Sequence, residues 1–268
     1  MSDEYFTRYA GLDFERRDPG VLWMTINRPE RLNATDANLH NALSRVWLDI
    51  GDDDDTRVVV VTGAGDAFSA GGDLGWIKEM TEDYEALRHA MAEAGDIVYR
   101  MADCRKPIIS AINGVAVGAG LAVAIMADIS IMAAEARITD GHVRLGVPAG
   151  DHANICWPLM CGLAKAKYYL LTAEFITGEE ADRIGLVSKA VPRSELHQEA
   201  MRVATKLAEL PRDAVEFTKR SLNLWMRQAT PAFDASLAME MLAFRGPDAR
   251  EGASALLEKR DPEFPSRR

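Results

Sequence analysis

Apolar positions along the chain follow two rhythms. Short runs dense in β-branched residues, Val58-Val59-Val60-Val61 and Ile108-Ile109-Ser110-Ala111-Ile112, have the length and composition of buried strands. Residues 129–133 read the same way, and a weaker alternation predicts strands at 10–16 and 21–27 joined by a turn at Asp18-Pro19-Gly20. The other rhythm is helical. Leu39, Leu43, Val46 and Ile50 recur at helical spacing and predict a helix over 36–49, with further helices over 84–102 and 120–127. From Ala153 onward helical patterns dominate. Thr177-Gly178-Glu179-Glu180-Ala181 reads as a capped helix start with an acidic first turn, and 188–192 as a last short strand. The closing helices split at Pro211 and around Gly246-Pro247. Strands alternating with helices and ending in helices alone predict an α/β class, with a core over 1–195 and a helical domain over 196–268. The run Asp52-Asp53-Asp54-Asp55 predicts a solvated loop. Residues 137–151 show poor periodicity and carry Asp140, His142 and Asp151.

Composition narrows the function classes. The chain has 268 residues, 48% of them apolar, and no apolar run approaches the roughly eighteen residues that span a bilayer. The acidic N-terminus, Met-Ser-Asp-Glu-Tyr-Phe-Thr-Arg, lacks the apolar core of a signal peptide, so a cytoplasmic location and no membrane partner are expected. Three cysteines without close pairing (Cys104, Cys156, Cys161) are expected to be free thiols rather than metal ligands. A formal charge of −10 argues against nucleic acid as a partner.

The chemistry-bearing feature is a pair of glycine-rich stretches. Ala67-Phe68-Ser69-Ala70-Gly71-Gly72-Asp73-Leu74 and Asn113-Gly114-Val115-Ala116-Val117-Gly118-Ala119-Gly120 each follow a strand and precede a helix. Such turns leave backbone N–H groups free beside the positive end of a helix dipole. Two of them on neighbouring strands can aim two N–H groups at one oxygen, as an oxyanion hole does.

These turns also carry a family resemblance. Together with Thr25-Ile26-Asn27-Arg28-Pro29, Leu32-Asn33-Ala34, Val59-Val60-Val61-Thr62-Gly63, Lys106-Pro107-Ile108, Met126-Ala127-Asp128, Glu251-Gly252 and Glu258-Lys259-Arg260, the chain resembles the crotonase superfamily along nearly its whole length. The resemblance implies the crotonase (ClpP-like) spiral fold of ββα units with a C-terminal helical trimerisation region, and a homotrimer or a hexamer of two trimers. It also implies an acyl-CoA thioester substrate, with coenzyme A entering only as part of that substrate and no other cofactor. Gly72 and Ala119 take the oxyanion-hole positions. Arg28, Arg31, Ala70 and Lys259 take positions that contact CoA, Lys259 reaching CoA held by an adjoining subunit. Trp76, Ile77 and Met80 are expected to line the acyl pocket.

The resemblance also exposes a departure. The two glutamates with which hydratases of this family split water map onto Ala122 and His142, and a methyl group accepts no proton. The nearby loop supplies Asp140, His142, Asp151 and His152 instead. His142 is the expected base, with Asp151 first and Asp140 second as the carboxylate that orients it. The stretch Asp140-Gly141-His142, the step to Asp151 and Trp157-Pro158 are similar to the oxocamphor hydrolase branch, which cleaves a cyclic β-diketone with His and Asp. That branch alters the first glycine turn, which is intact here. His40, His89 and His197 fall on helical patterns and are expected to be structural, as are Ser69 and Ser110, which lack a nucleophile elbow. The expected function is therefore acyl-CoA processing through a stabilised thioester enolate, with hydration of 2-enoyl-CoA as the family default. The alternatives are a His/Asp-dependent C–C or thioester hydrolase and a catalytically silent acyl-CoA-binding scaffold.

Overall fold

The computed structural model describes residues 3–267, so Met1 and Ser2 of the acidic N-terminal stretch lie outside the described residues. Among the described residues, ten strands form two sheets. The larger runs β1 (Leu12–Arg17), β2 (Val21–Ile26), β3 (Val58–Gly63), β5 (Ile108–Ile112), β7 (Ile129–Ala133) and β10 (Lys189–Val191) in that spatial order. The smaller runs β4 (Ala67–Ser69), β6 (Val115–Val117), β8 (Arg137–Thr139) and β9 (Ile176–Thr177). Pairing is parallel except for β1 with β2 and β8 with β9.

The chain visits both sheets in each turn of a spiral. It leaves β3 for β4, β5 for β6 and β7 for β8, and follows each pair with helix. After β4 come α2 (Leu74–Glu82) and α3 (Tyr84–Asp103), after β6 comes α4 (Gly118–Met126), and after β8 come α5 (His142–Leu145) and α6 (Ala153–Thr172). The predicted ββα spiral is thus the observed architecture. Every residue of β3 and β5 is buried, because helices cover the sheet and parallel strands need cover on both faces. α1 (Ala37–Asp52) packs on α3, and α8 (Leu196–Glu209) lies against β3, β5 and β7. Between β9 and β10 stands α7 (Gly178–Arg183), capped by Thr177 as expected.

The tail is α9 (Arg212–Gln228), α10 (Thr230–Phe244) and α11 (Pro247–Glu258). The breaks at Pro211 and Gly246-Pro247 fall where the sequence puts them. A further break at Ala229 separates α9 from α10, and α10 returns to pack on α3 and α6. Two buried asparagines pin the crossings between sheets. Asn33 Nδ2 donates to the carbonyls of Ala64 and Ala67 at 2.9 and 2.8 Å, and Asn113 Oδ1 accepts from the Gly63 N–H at 3.1 Å.

The Asp52–Asp55 run is not wholly a solvated loop. Asp53 caps the end of α1 and is completely buried, accepting from Tyr5 Oη (2.8 Å), Thr56 Oγ1 (2.6 Å) and Arg16 (3.0 Å). Burial alone would raise its pKa, but those hydrogen bonds hold the carboxyl below its ordinary value.

Candidate active site

Both glycine turns close on one cavity of about 70 Å³, whose wall includes Gly72, Ala119, His40, His142, Asp151 and Glu240. The first turn runs from β4 into α2, whose N-cap Asp73 accepts from the Gly75 N–H at 3.0 Å. Gly71 sits at φ 95°, a conformation that side chains resist. Thr35 donates to the Gly71 carbonyl and accepts from the Asp73 N–H, so the Gly72 N–H between them points away from that neighbour. The second turn opens α4. Ala119 is its second residue, and its N–H has no carbonyl four residues back within the helix. Gly120 lets the turns meet, since a Cβ there would fall 2.2 Å from the Ser69 Cβ.

The polar wall is built around His142, the first residue of α5. Asp140 Oδ1 accepts from the His142 backbone N–H at 3.2 Å and meets Nδ1 at 2.8 Å. The other ring nitrogen lies 3.7 Å from Asp151 Oδ2 and 3.4 Å from Glu240 Oε1. Asp151 Oδ1 is 2.6 Å from Nδ1 of His152, and Glu240 Oε2 accepts from the Gly150 N–H at 3.1 Å. The expected order of partners is therefore reversed. Asp140, two residues away, clamps the ring from its own turn, whereas Asp151 sits on the next loop, facing the opposite nitrogen.

Electrostatics follow from one imidazole inside three carboxylates. Burial works to lower the His142 pKa, but Asp140, Asp151 and Glu240 outweigh it and raise it well above the ordinary histidine value. For Asp151 burial pushes upward, while His142 and His152 win and draw the carboxyl below its ordinary value. Glu240 goes the other way. Burial, reinforced by Asp151 and Asp140, raises it well above the usual carboxylate range. These directions favour a proton on His142, an ionised Asp151 and a proton on Glu240. His142, Asp151 and Glu240 bring donor atoms within 4.8 Å of one another, as do Asp140, Asp151 and His152, spacings that a shared proton or a bound cation satisfies.

Glu240 is the site residue that sequence reasoning missed. It comes from α10, some ninety residues past the loop, and is 2% exposed. Its one signal is a lone acid inside the apolar stretch Leu237-Ala238-Met239-Glu240-Met241-Leu242. His40, expected from its helical position to be structural, also lines the cavity, with Nδ1 2.7 Å from Glu93 Oε2. Of the other two histidines, His197 packs edge-on to Trp23 and His89 is exposed. Ser69 and Ser110 donate to the Asn33 and Ala124 carbonyls at 2.8 and 2.6 Å, which leaves them structural. Ala122 is buried in α4 and offers no titratable group.

Trp76, Ile77 and Met80 line the same cavity. The four residues aligned with CoA contacts do not. Arg28 is held by Asp36 at 2.9 Å and by the Ala34 carbonyl, Arg31 is exposed, and the Ala70 N–H donates to the Leu32 carbonyl at 2.9 Å. Lys259 is exposed at the end of α11.

A spiral of ββα units that presses two glycine turns onto one cavity puts the chain in the crotonase superfamily. Within it, the family described as enoyl-CoA hydratase/isomerase matches residues 16–267, and the chain belongs to that family. A probable enoyl-CoA hydratase of Mycobacterium tuberculosis is 34% identical over 262 residues, covering 94% of this chain and 96% of that one. The crystal structure of an enoyl-CoA hydratase/isomerase from Mycobacterium paratuberculosis superposes with a TM-score of 0.86 at 38% identity, over 91% of this chain and 97% of that chain. A beta-diketone hydrolase from the cyanobacterium Anabaena, bound to (S)-3-oxocyclohexyl acetic acid, superposes at 0.82 with 28% identity, over 90% of this chain and 97% of that chain.

Proposed function

We propose that this family member is a hydrolase that breaks the C–C bond between the two carbonyls of a compact β-dicarbonyl compound. The observation that carries the reading is the imidazole enclosed by Asp140, Asp151 and Glu240, with only a methyl at Ala122. Asp151 Oδ2, on a carboxyl held ionised, takes a proton from water as the water oxygen bonds to one carbonyl carbon. The carbonyl π pair moves onto its oxygen, which the N–H groups of Gly72 and Ala119 hold. Collapse re-forms that carbonyl and breaks the adjacent C–C bond, whose electron pair becomes the enolate of the second carbonyl. The His142 imidazolium then protonates the enolate carbon, giving a carboxylic acid and a ketone. Asp151, 3.7 Å from Nε2, passes on the proton it took and restores both groups. The likeness to a β-diketone hydrolase supports the reading.

A thioester substrate is the second reading, favoured by the intact Phe68-Ser69-Ala70-Gly71-Gly72-Asp73 turn and by hydratase relatives. Here the same N–H groups hold a thioester enolate, and Arg31 and Lys259 contact CoA. Lys259 requires an adjoining subunit. The exposed Leu171, Trp225 and Leu242 favour assembly into a homotrimer or hexamer. The deciding assay offers a cyclic β-diketone and a short 2-enoyl-CoA in heavy-oxygen water. One labelled oxygen in a keto-acid product is expected; loss of the enoyl absorbance with the diketone untouched would sink the hydrolase reading.

A further inference from the structure

His40 is a cavity group that the proposed chemistry leaves unused. It stands in the first turn of α1, 4% exposed, with Nδ1 2.7 Å from Glu93 Oε2 on α3. The other oxygen of that carboxylate accepts from Asn41 Nδ2, also at 2.7 Å, so Glu93 is fixed through both oxygens. The imidazole lies 4.9 Å from the Trp76 ring, tilted by 49°. Among the described residues Nε2 makes no hydrogen bond, and His40 lines the cavity that Gly72, Ala119 and His142 share.

That arrangement exceeds what packing requires. A side chain that only fills space between α1 and α3 needs no carboxylate behind it. Glu93 instead sets a carboxylate against Nδ1, the partner that a cationic imidazole needs inside a protein. Burial pushes Glu93 upward, but the bonds from His40 and Asn41 hold it below its ordinary value, so the countercharge is in place. His40 also helps keep Asp151 ionised, which puts the two groups within electrostatic reach.

We propose that His40 is a substrate-anchoring residue whose Nε2–H binds the second carbonyl oxygen of the β-dicarbonyl, the oxygen on which enolate charge appears. The assignment rests on the C–C hydrolase reading. It gives the substrate two oxygens with separate holders, the backbone N–H pair for one and His40 for the other. The donor therefore acts most strongly when the C–C bond breaks, and its removal lowers kcat more than it raises KM.

The experiment compares wild type, His40→Leu, His40→Gln and Glu93→Gln on cyclohexane-1,3-dione, with cyclohexanone as a competing ligand that lacks the second oxygen. His40→Leu is expected to lose about a hundredfold in kcat, as for other oxyanion donors, and to bind the two ligands alike. His40→Gln, whose amide reaches the place of Nε2, recovers about tenfold of that loss, and Glu93→Gln falls between. Melting temperatures are recorded for all four proteins. Wild-type rates in His40→Leu overturn the anchor and leave the hydrolase reading standing. Equal losses in the Leu and Gln variants with lowered melting temperatures show packing alone and also overturn it. A wild type that leaves the dione untouched but depletes 2-enoyl-CoA refutes the hydrolase reading, and the anchor falls with it.

Discussion

At the scale of the residue, His142 gains its character from what surrounds it. Asp140 holds one ring nitrogen at 2.8 Å, and Asp151 and Glu240 crowd the other. His142→Gln keeps the volume and loses the titrating ring, and is expected to cut turnover by about 10²–10⁴-fold, read by steady-state kinetics. pH dependence follows from the raised values of His142 and Glu240. The folded protein binds their protons more tightly than the unfolded chain, so stability falls as pH rises from about 4.5 for Glu240 and from about 6.5 for His142 toward their folded values. Glu240→Gln removes its share of that slope. Melting temperature against pH should therefore decline less steeply on the alkaline side in the variant, and parallel curves would contradict the assignment. His142 was legible in the sequence because it stands in a polar loop beside two aspartates, where the family resemblance points. Glu240 was not, since a single acid in an apolar helix does not say which cavity that helix will meet.

At the scale of the element, buried polar groups place the strands and turns. Asp53 shows the pattern, with four donors on a carboxylate that four consecutive aspartates disguise as solvated loop. Asp53→Ala leaves Arg16 and Tyr5 facing a void and is expected to cost about 3 kcal/mol in urea unfolding. The depressed pKa adds a sign. Its contribution is present above the ordinary value of 3.8 and is lost as pH falls through the folded value, so the variant should be less sensitive to acid. Asn113 ties β3 to the second glycine turn through Gly63 and Gly65. Asn113→Ala should cost about 2 kcal/mol and also slow turnover, because the Ala119 N–H moves with that turn. Strand and helix identities were readable because period two and period 3.6 are local properties. The break at Ala229 carried a local signal that went unread, since Pro231 in the first turn of α10 is a helix-start residue.

At the scale of the whole molecule, the spiral brings residues 40, 72, 119, 142 and 240 to one cavity. The exposed apolar residues of α6, α9 and α10 then bear on assembly. Leu171→Glu with Leu242→Glu is expected to shift a trimer or hexamer toward monomer in sedimentation, while a monomeric wild type would contradict assembly. The alternation of elements, the two glycine turns and the methyl side chain at Ala122 are properties of neighbours in the chain, and the sequence alone determined them. The choice of Asp140 over Asp151 as the His142 clamp, the arrival of Glu240 and the turning of His40 toward the cavity depend on helices distant in sequence. Only the tertiary structure decided these, because burial and through-space charge set the protonation and orientation of a side chain, and neither is a property of the local sequence.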